Sequence, residues 1–329
     1  MADEHLWTDI GGGLLGNHQI SDKMLEVAVG ECKVVQHTFD HGFGFKKNAG
    51  ETVTMYHVNH LPDSLDSSLQ EEGEIPMRML SFGKRSLTLT EHGEGLLFSE
   101  KLENLSKFKI NPMMKKELTK NLAETMDNEA THDGFLSEDV KIVFTPTTLT
   151  GGTFSVTGTA GALATAPLTK DHIKKISAYM RDTIHAPFYP GPKNKGGGEY
   201  YMCLSCNLNI ENLLLDSSIE KWQQHLGQGD MLYKGEMCMV HRVRFVEVNR
   251  ANAFSNVSGN STVLGEAVIF GDEAVARIEA ATPHLRMNPN WGGRMGTRQA
   301  MAWWGIYAFG PVWNYSDDGK AKMIKLQSL

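Results

Sequence analysis

The sequence predicts an α+β fold, on three observations. Strand and helix patterns interleave along the chain without the regular βαβ rhythm of a doubly wound sheet. One long amphipathic helix pattern, residues 111–131, divides an extended, arm-like front from a mixed, globular remainder. The chain's 329 residues, 41% hydrophobic and 22% charged, suffice for two cores in a soluble protein.

In chain order, residues 1–45 are poorly patterned, broken by Gly11–Gly13 and by the HGFGF run at 41–45. A terminal arm held by something outside its own core has this look. Residues 52–58 (TVTMYHV) and 86–90 (SLTLT) alternate Thr with apolar side chains and read as strands. Between them lies a long polar segment with Asp63, Asp66, Glu71, Glu72 and Glu74, of a length uncommon inside a compact domain. It reads either as a protruding two-stranded arm or as a surface loop. A lone hairpin is marginal in water, so an arm implies support from a neighbouring subunit. The helix at 111–131 opens on Asn111 as N-cap and Pro112 in the first turn. Met114, Leu118, Leu122 and Met126, with Ala123 and Ala130, form its apolar face. Lys115, Lys116, Lys120, Glu124 and Asp127 form a solvated one, and His132–Gly134 end it.

Further on, residues 140–144 read as a strand, and the Gly/Thr/Ala-rich 145–166 as a loop or sheet edge. Thr169 caps a helix running through His185, with Ile173, Ile176, Met180 and Ile184 on one face. Residues 189–198 (YPGPKNKGGG) give the strongest loop signal. A strand at 200–204, a helix at 210–225 and strands at 238–248 and 263–270 follow. Asp272 is expected to cap a short helix at 273–280, ahead of a second loop zone at 282–297. Strands at 302–313 and 321–326 close the chain.

The totals narrow the function. A formal net charge of -7 argues against a dedicated nucleic-acid binder, which needs a basic stripe to displace counterions. Four cysteines are too few for a disulfide framework and suit a reducing compartment. No signal peptide is visible, and the apolar run 301–313 falls short of the ~20 residues that span a bilayer. Cys203, Cys206, Cys238 and His241 have the spacing of a zinc site. Yet an offset of three along a strand puts Cys203 and Cys206 on opposite faces, so buried, inert thiols are the expectation. His57, His60 and His92, near Glu91 and Glu94, resemble a metal or acid–base cluster but read as surface residues. No nucleophile elbow, metalloprotease helix or phosphate loop occurs. No catalytic, cofactor-binding or metal residue is therefore expected. Trp303, Trp304, Tyr307, Phe309 and Trp313 lack interleaved Lys or Arg and suit core or interface packing.

This order of parts resembles the major capsid proteins of tailed bacteriophages (Caudoviricetes), which have the Hong Kong 97-type fold, with the N4-like podovirus coat family as the nearest likeness. The stretches carrying it are 47–58, 69–74, 86–102 leading into the long helix, 234–248, 267–278 and 302–327. The resemblance implies an N-terminal arm over 1–48 and an extended E-loop over 49–98. It implies a peripheral domain over 99–150 and 297–329, with its spine helix at 111–131 and a sheet holding 140–144 and the C-terminal strands. It implies an axial domain over 151–296. Thr52, Val53, Met55, Tyr56, Leu87, Leu89, Tyr189 and Pro190 are then candidate subunit contacts. The implied function is self-assembly, as homo-hexamers and homo-pentamers, into an icosahedral shell around double-stranded DNA. The DNA is bound without sequence specificity, and scaffolding, portal and decoration proteins are implied partners. The implied location is the virion, assembled in the host bacterial cytoplasm, with no membrane and no cofactor. Alternatives are an encapsulin-like nanocompartment shell, or a small zinc-binding domain built on the cysteine set.

Overall fold

Two sheets share one apolar seam, and the long helix lies along it. The computed structural model describes residues 32–40, 50–58, 75, 77–137, 141–144, 167–190, 199–215, 236–249, 254, 265–289, 297–313 and 322–328. All belong to one unit, Glu31–Leu329. The strands are β1 (Phe39–Asp40), β2 (Thr52–Val58), β3 (Phe82–Thr88), β4 (Thr90–Ser99), β5 (Lys141–Phe144) and β6 (Tyr201–Ser205). They continue as β7 (Glu236–Val240), β8 (Val243–Glu247), β9 (Gly265–Phe270), β10 (Val275–Asn288), β11 (Arg298–Pro311) and β12 (Met323–Ser328). The helices are α1 (Glu100–Leu105), α2 (Ile110–Glu129), α3 (Lys170–Asp182) and α4 (Asn207–Leu214). One sheet has the order β1-β10-β11-β4, a second β5-β12-β9-β6-β8-β7, and β2 pairs with β3 alone.

Helix α2 buries Leu118 at 2% exposure, with Met114, Leu122 and Met126 packed around it, as the apolar spacing predicts. It shares one apolar cluster with Met301, Trp303, Tyr307 and Phe309 of β11 and Val268 and Phe270 of β9. Trp303 Nε1–H donates to Asn121 Oδ1 at 2.7 Å, tying sheet to helix through a polar contact as well. The other face of β11 carries Ala308, which joins Ala276 and Ile278 of β10 under the β2–β3 hairpin. The four-stranded sheet is thus sandwiched, α2 on one side and the hairpin's base on the other. The six-stranded sheet is buried on both faces at its centre, so β6 and β9 are buried at every position rather than at alternate ones. One face supplies Met202, Leu204 and Val246 to the shared seam. The other supplies Cys203, Phe245 and Ile269 to a core closed by Ile173, Ile176 and Met180 of α3.

Several expectations change. The N-cap of α2 is Lys109, and Asn111, the second residue of the helix, donates instead to the Glu103 carboxylate. Ala123 is exposed, and Asp127, expected in water, is fully buried. The helix does not stop at His132; it widens into a π-turn, Ala130–Phe135. There Gly134 is required, because a Cβ would sit 2.7 Å from Val275 Cγ1. Residues 238–248 are two strands, β7 and β8, joined at His241 and Arg242 with φ of 46° and 66°. Positive φ at both central residues matches the twist of a two-residue hairpin.

One long strand, β10, runs through most of the helix expected at 273–280 and the first part of the loop zone expected at 282–297, whose residues 290–296 lie outside the described residues. Its Ala and Glu content imitates a helix, yet Ala276, Ile278 and Ala280 alternate onto the hairpin side as period two demands. Pro283 is tolerated because the register slips between Ala281 and His284, and Gly305 opposite leaves room for its ring. Strands β5 and β12 join the six-stranded sheet, not the one beneath α2. The peripheral domain expected at 99–150 and 297–329 therefore contributes to both sheets. The loop at 145–166 and residues 216–225 of the helix expected at 210–225 lie outside the described residues.

Candidate functional site

Among the described residues no cluster of catalytic groups stands out, so the candidate site is the hairpin and the contacts that root it. Strands β2 and β3 pair antiparallel from Thr52↔Thr88 to Val58↔Phe82, the two-stranded arm that the Thr-rich alternation predicts. One face turns Val53, Met55 and Leu87, with Leu89, onto Ala276, Ile278 and Ala308 of the same chain. His57 on that face is 8% exposed and lies on Trp313, ring centroids 4.1 Å apart. Gly83 faces it across the hairpin, where a Cβ would strike the imidazole at 2.1 Å from Nε2. The opposite face and the free end are bare: Tyr56 is 75% exposed, Phe82 64%, Met77 91% and Met79 97%. Ile75, Val58 and Leu80 are exposed beside them.

The eight candidate contact residues therefore divide. Val53, Met55, Leu87 and Leu89 are already covered within the chain and have no apolar surface left to offer a neighbour. Tyr189 is half-buried, its hydroxyl 3.0 Å from His37 Nδ1. Thr52, Tyr56 and Pro190 are exposed. Sequence reading passed over Ile75, Met77, Met79, Leu80 and Phe82, which close a segment taken as polar. Their signal is visible in EIPMRMLSF, where apolar residues outnumber charged ones.

The chain's front is rooted on α2. Asp127 Oδ1 accepts from Val34 N–H at 2.8 Å and Val35 N–H at 3.0 Å, fixing the 3-10 turn Val35–His37. Val34 is fully buried in the shared seam, so this part of the expected N-terminal arm belongs to its own core. Asp127→Ala leaves one buried and one part-buried donor without the carboxylate and should cost about 2–5 kcal/mol. Urea unfolding of the purified subunit measures it, and a loss under 1 kcal/mol would mean water replaces the carboxylate.

His37, in the same turn, is 6% exposed, and burial pushes its pKa from 6.5 down to about 4. Between those values the unfolded chain takes up a proton that the folded chain refuses. Stability is therefore complete above pH 6.5 and falls as pH drops towards 4, by up to roughly 3 kcal/mol. His37→Gln should be less stable at pH 7.5 but should lose that slope when urea midpoints at pH 7.5 and 5 are compared.

Where β4, α2 and β11 meet, His92 Nδ1 stands 2.9 Å from Glu129 Oε1 and its ring stacks on Tyr307 at 4.5 Å. Burial pushes Glu129 up to about 7, with help from the Asp133 charge. Burial also lowers His92, so burial disfavours the charged form of both partners. His57 and His92, expected at the surface, are both packing residues; His60 lies outside the described residues.

The cysteine set does not converge. Cys203 and Cys238 face the core under α3, while Cys206 faces the shared seam on the other side of the sheet, and His241 is exposed in its turn. Burial raises all three thiols, Cys238 to about 12, which keeps them protonated and poor as ligands. Among the described residues no group of three His, Cys, Asp or Glu could hold a metal.

No family model matches the sequence, and no curated protein does. Solved structures do match. The capsid asymmetric unit of cyanophage Pam1 superposes with a TM-score of 0.69 at 14% identity, covering 100% of this chain and 99% of that one. The fold is the Hong Kong 97-type capsid fold. The capsid of Helicobacter pylori bacteriophage KHP30 matches at 0.67 and 13% identity over 100% and 99% of the two chains. The capsid of Ralstonia phage GP4 matches at 0.64 and 12% over 95% of each. At such identities the likeness shows the capsid fold alone; it does not single out the N4-like coat family. These neighbours are phage capsids, which does not favour the nanocompartment alternative. Among the described residues no helix is long and apolar enough to cross a membrane.

Proposed function

We propose that this chain is the major coat protein of a tailed bacteriophage, assembling as hexamers and pentamers into an icosahedral head around double-stranded DNA. The observation that carries the reading is the hairpin. Its base is packed on the chain's own sheet, while Tyr56, Met77, Met79 and Phe82 stand in water. Burying such side chains yields about 25 cal/mol per Å² of apolar area, so each copy gains by laying its arm on another. Repeated head-to-tail contacts that close into rings tile a shell. The function is structural: the chain works by assembly and needs no cofactor. The net charge of -7 limits adhesion to the enclosed genome, consistent with DNA held without sequence-specific contacts. Scaffolding, portal and decoration proteins are the further partners of such a head, which forms in the host cytoplasm and ends in the virion.

Particles carrying this chain, isolated from infected cells, provide the test. The chain should dominate their protein mass, and they should contain nuclease-protected duplex DNA. Particles filled with another protein and free of DNA would contradict the reading.

A further inference from the structure

Strand β4 is the root of the hairpin: only Leu89 separates it from β3. One side-chain tie holds β4 to the long helix, His92 Nδ1 against the carboxylate of Glu129, the last residue of α2. Thr90 Oγ1, 2.5 Å from His92 Nε2, steadies the other side of the ring. The tie stands in a surplus of acid. The π-turn that follows Glu129 carries Asp133, whose charge reaches it, and the exposed His132. On β4, Glu94 follows His92 on the same face by strand period and is exposed. From β11 comes Tyr307, stacked on His92, whose hydroxyl burial keeps protonated well above the usual range. Its cross-strand partner on β10, Glu279, is engaged by Arg277, which also holds Asp40. Among the described residues no lysine or arginine pairs with Glu129, so His92 is its cationic counterpart.

We propose that this junction is a proton-operated latch at the hairpin's root: it holds β4 against the end of α2 while Glu129 is protonated and loosens when Glu129 gives up its proton. A largely buried carboxyl beside a second acid is kept neutral more readily than one in water. Glu129 titrates at about 7 in the junction, against 4.5 in its absence. Between those values opening releases a proton, so the open fraction rises with pH, by up to about tenfold per unit, and levels off above 7. His92 acts as a counterweight. Burial lowers it from 6.5, so below that value opening takes up a proton that the closed junction refuses. The two effects oppose each other on the acid side, which leaves the net loosening on the neutral and alkaline side of pH 6.5. On the coat-protein reading, a loosened β4 frees the arm to change its angle on the subunit; the latch itself does not depend on that reading.

Amide hydrogen exchange of the purified full-length chain tests this without any need for shells. Mass spectrometry reads opening in β4 and in residues 130–135, after division by intrinsic exchange rates at each pH. Opening of the wild-type junction should increase from pH 6 to pH 8. Glu129→Gln, nearly isosteric and unable to ionise, should abolish that increase and leave only the opposite trend from His92. His92→Gln should remove the counterweight, so that opening increases more steeply than in the wild type, by about tenfold over the same range. The wild-type profile persisting in Glu129→Gln, or wild-type opening that is flat or decreases over this range, would overturn the proposal. Equal slopes in His92→Gln and the wild type would overturn it as well. A chain that shows this pattern yet forms no shells would contradict the coat-protein reading and leave the latch standing.

Discussion

Leu118→Asp should leave no soluble, folded subunit. Leu118 is 2% exposed where α2 meets both sheets, in the same cluster as Trp303, Tyr307, Val268 and Phe270. Truncating such a leucine typically costs 2–5 kcal/mol from lost transfer energy and the cavity left behind. A carboxylate adds the penalty of an unpaired charge far from water. Together these match or exceed the whole stability of a typical domain, about 5–15 kcal/mol. Expression followed by fractionation should find the variant in the pellet, while Leu118→Met, which nearly conserves volume, stays soluble. Wild-type soluble yield of Leu118→Asp would mean that this face of α2 is not the one against the sheets.

Replacing residues 59–80 with a short Gly-rich turn should separate folding from assembly. The cut keeps β2 and β3, and so keeps Val53, Met55 and Leu87 on Ala276, Ile278 and Ala308. It removes Met77 and Met79, exposed at 91% and 97%, which contribute nothing to the subunit's own core. Thermal stability of the subunit should change by no more than a few degrees, whereas closed shells should disappear from electron micrographs. Normal particles from this variant would refute a role for the arm in assembly.

How much of this was legible in the sequence depends on how local each signal is. The spacing of Met114, Leu118, Leu122 and Met126 marks α2 directly, because helical period and burial coincide there. The Thr-rich alternation of β2 and its partner is equally local. Strand β10 was not legible: VARIEAATPHLRMN has the composition of a helix, and only its fourteen-residue companion β11 makes it a strand. Asp127 was misread for a similar reason. Its position on α2 points outward by helical period, and it is buried because Val34 and Val35, some ninety residues earlier in the chain, cross over it. Sheet membership of β5 and β12 likewise depends on pairing between distant segments. At the candidate site, the two strands were legible, while the segment between them read as either an arm or a surface loop. Which of its faces was free was not, since that follows from Ala276, Ile278 and Ala308 lying beneath the other.

Electron microscopy of the purified chain at high concentration in native buffer tests the central claim most directly. Closed, uniform shells built of sixfold and fivefold clusters are the predicted result. A monodisperse monomer under those conditions, with Met77 and Met79 protected from oxidation within the single chain, would contradict it.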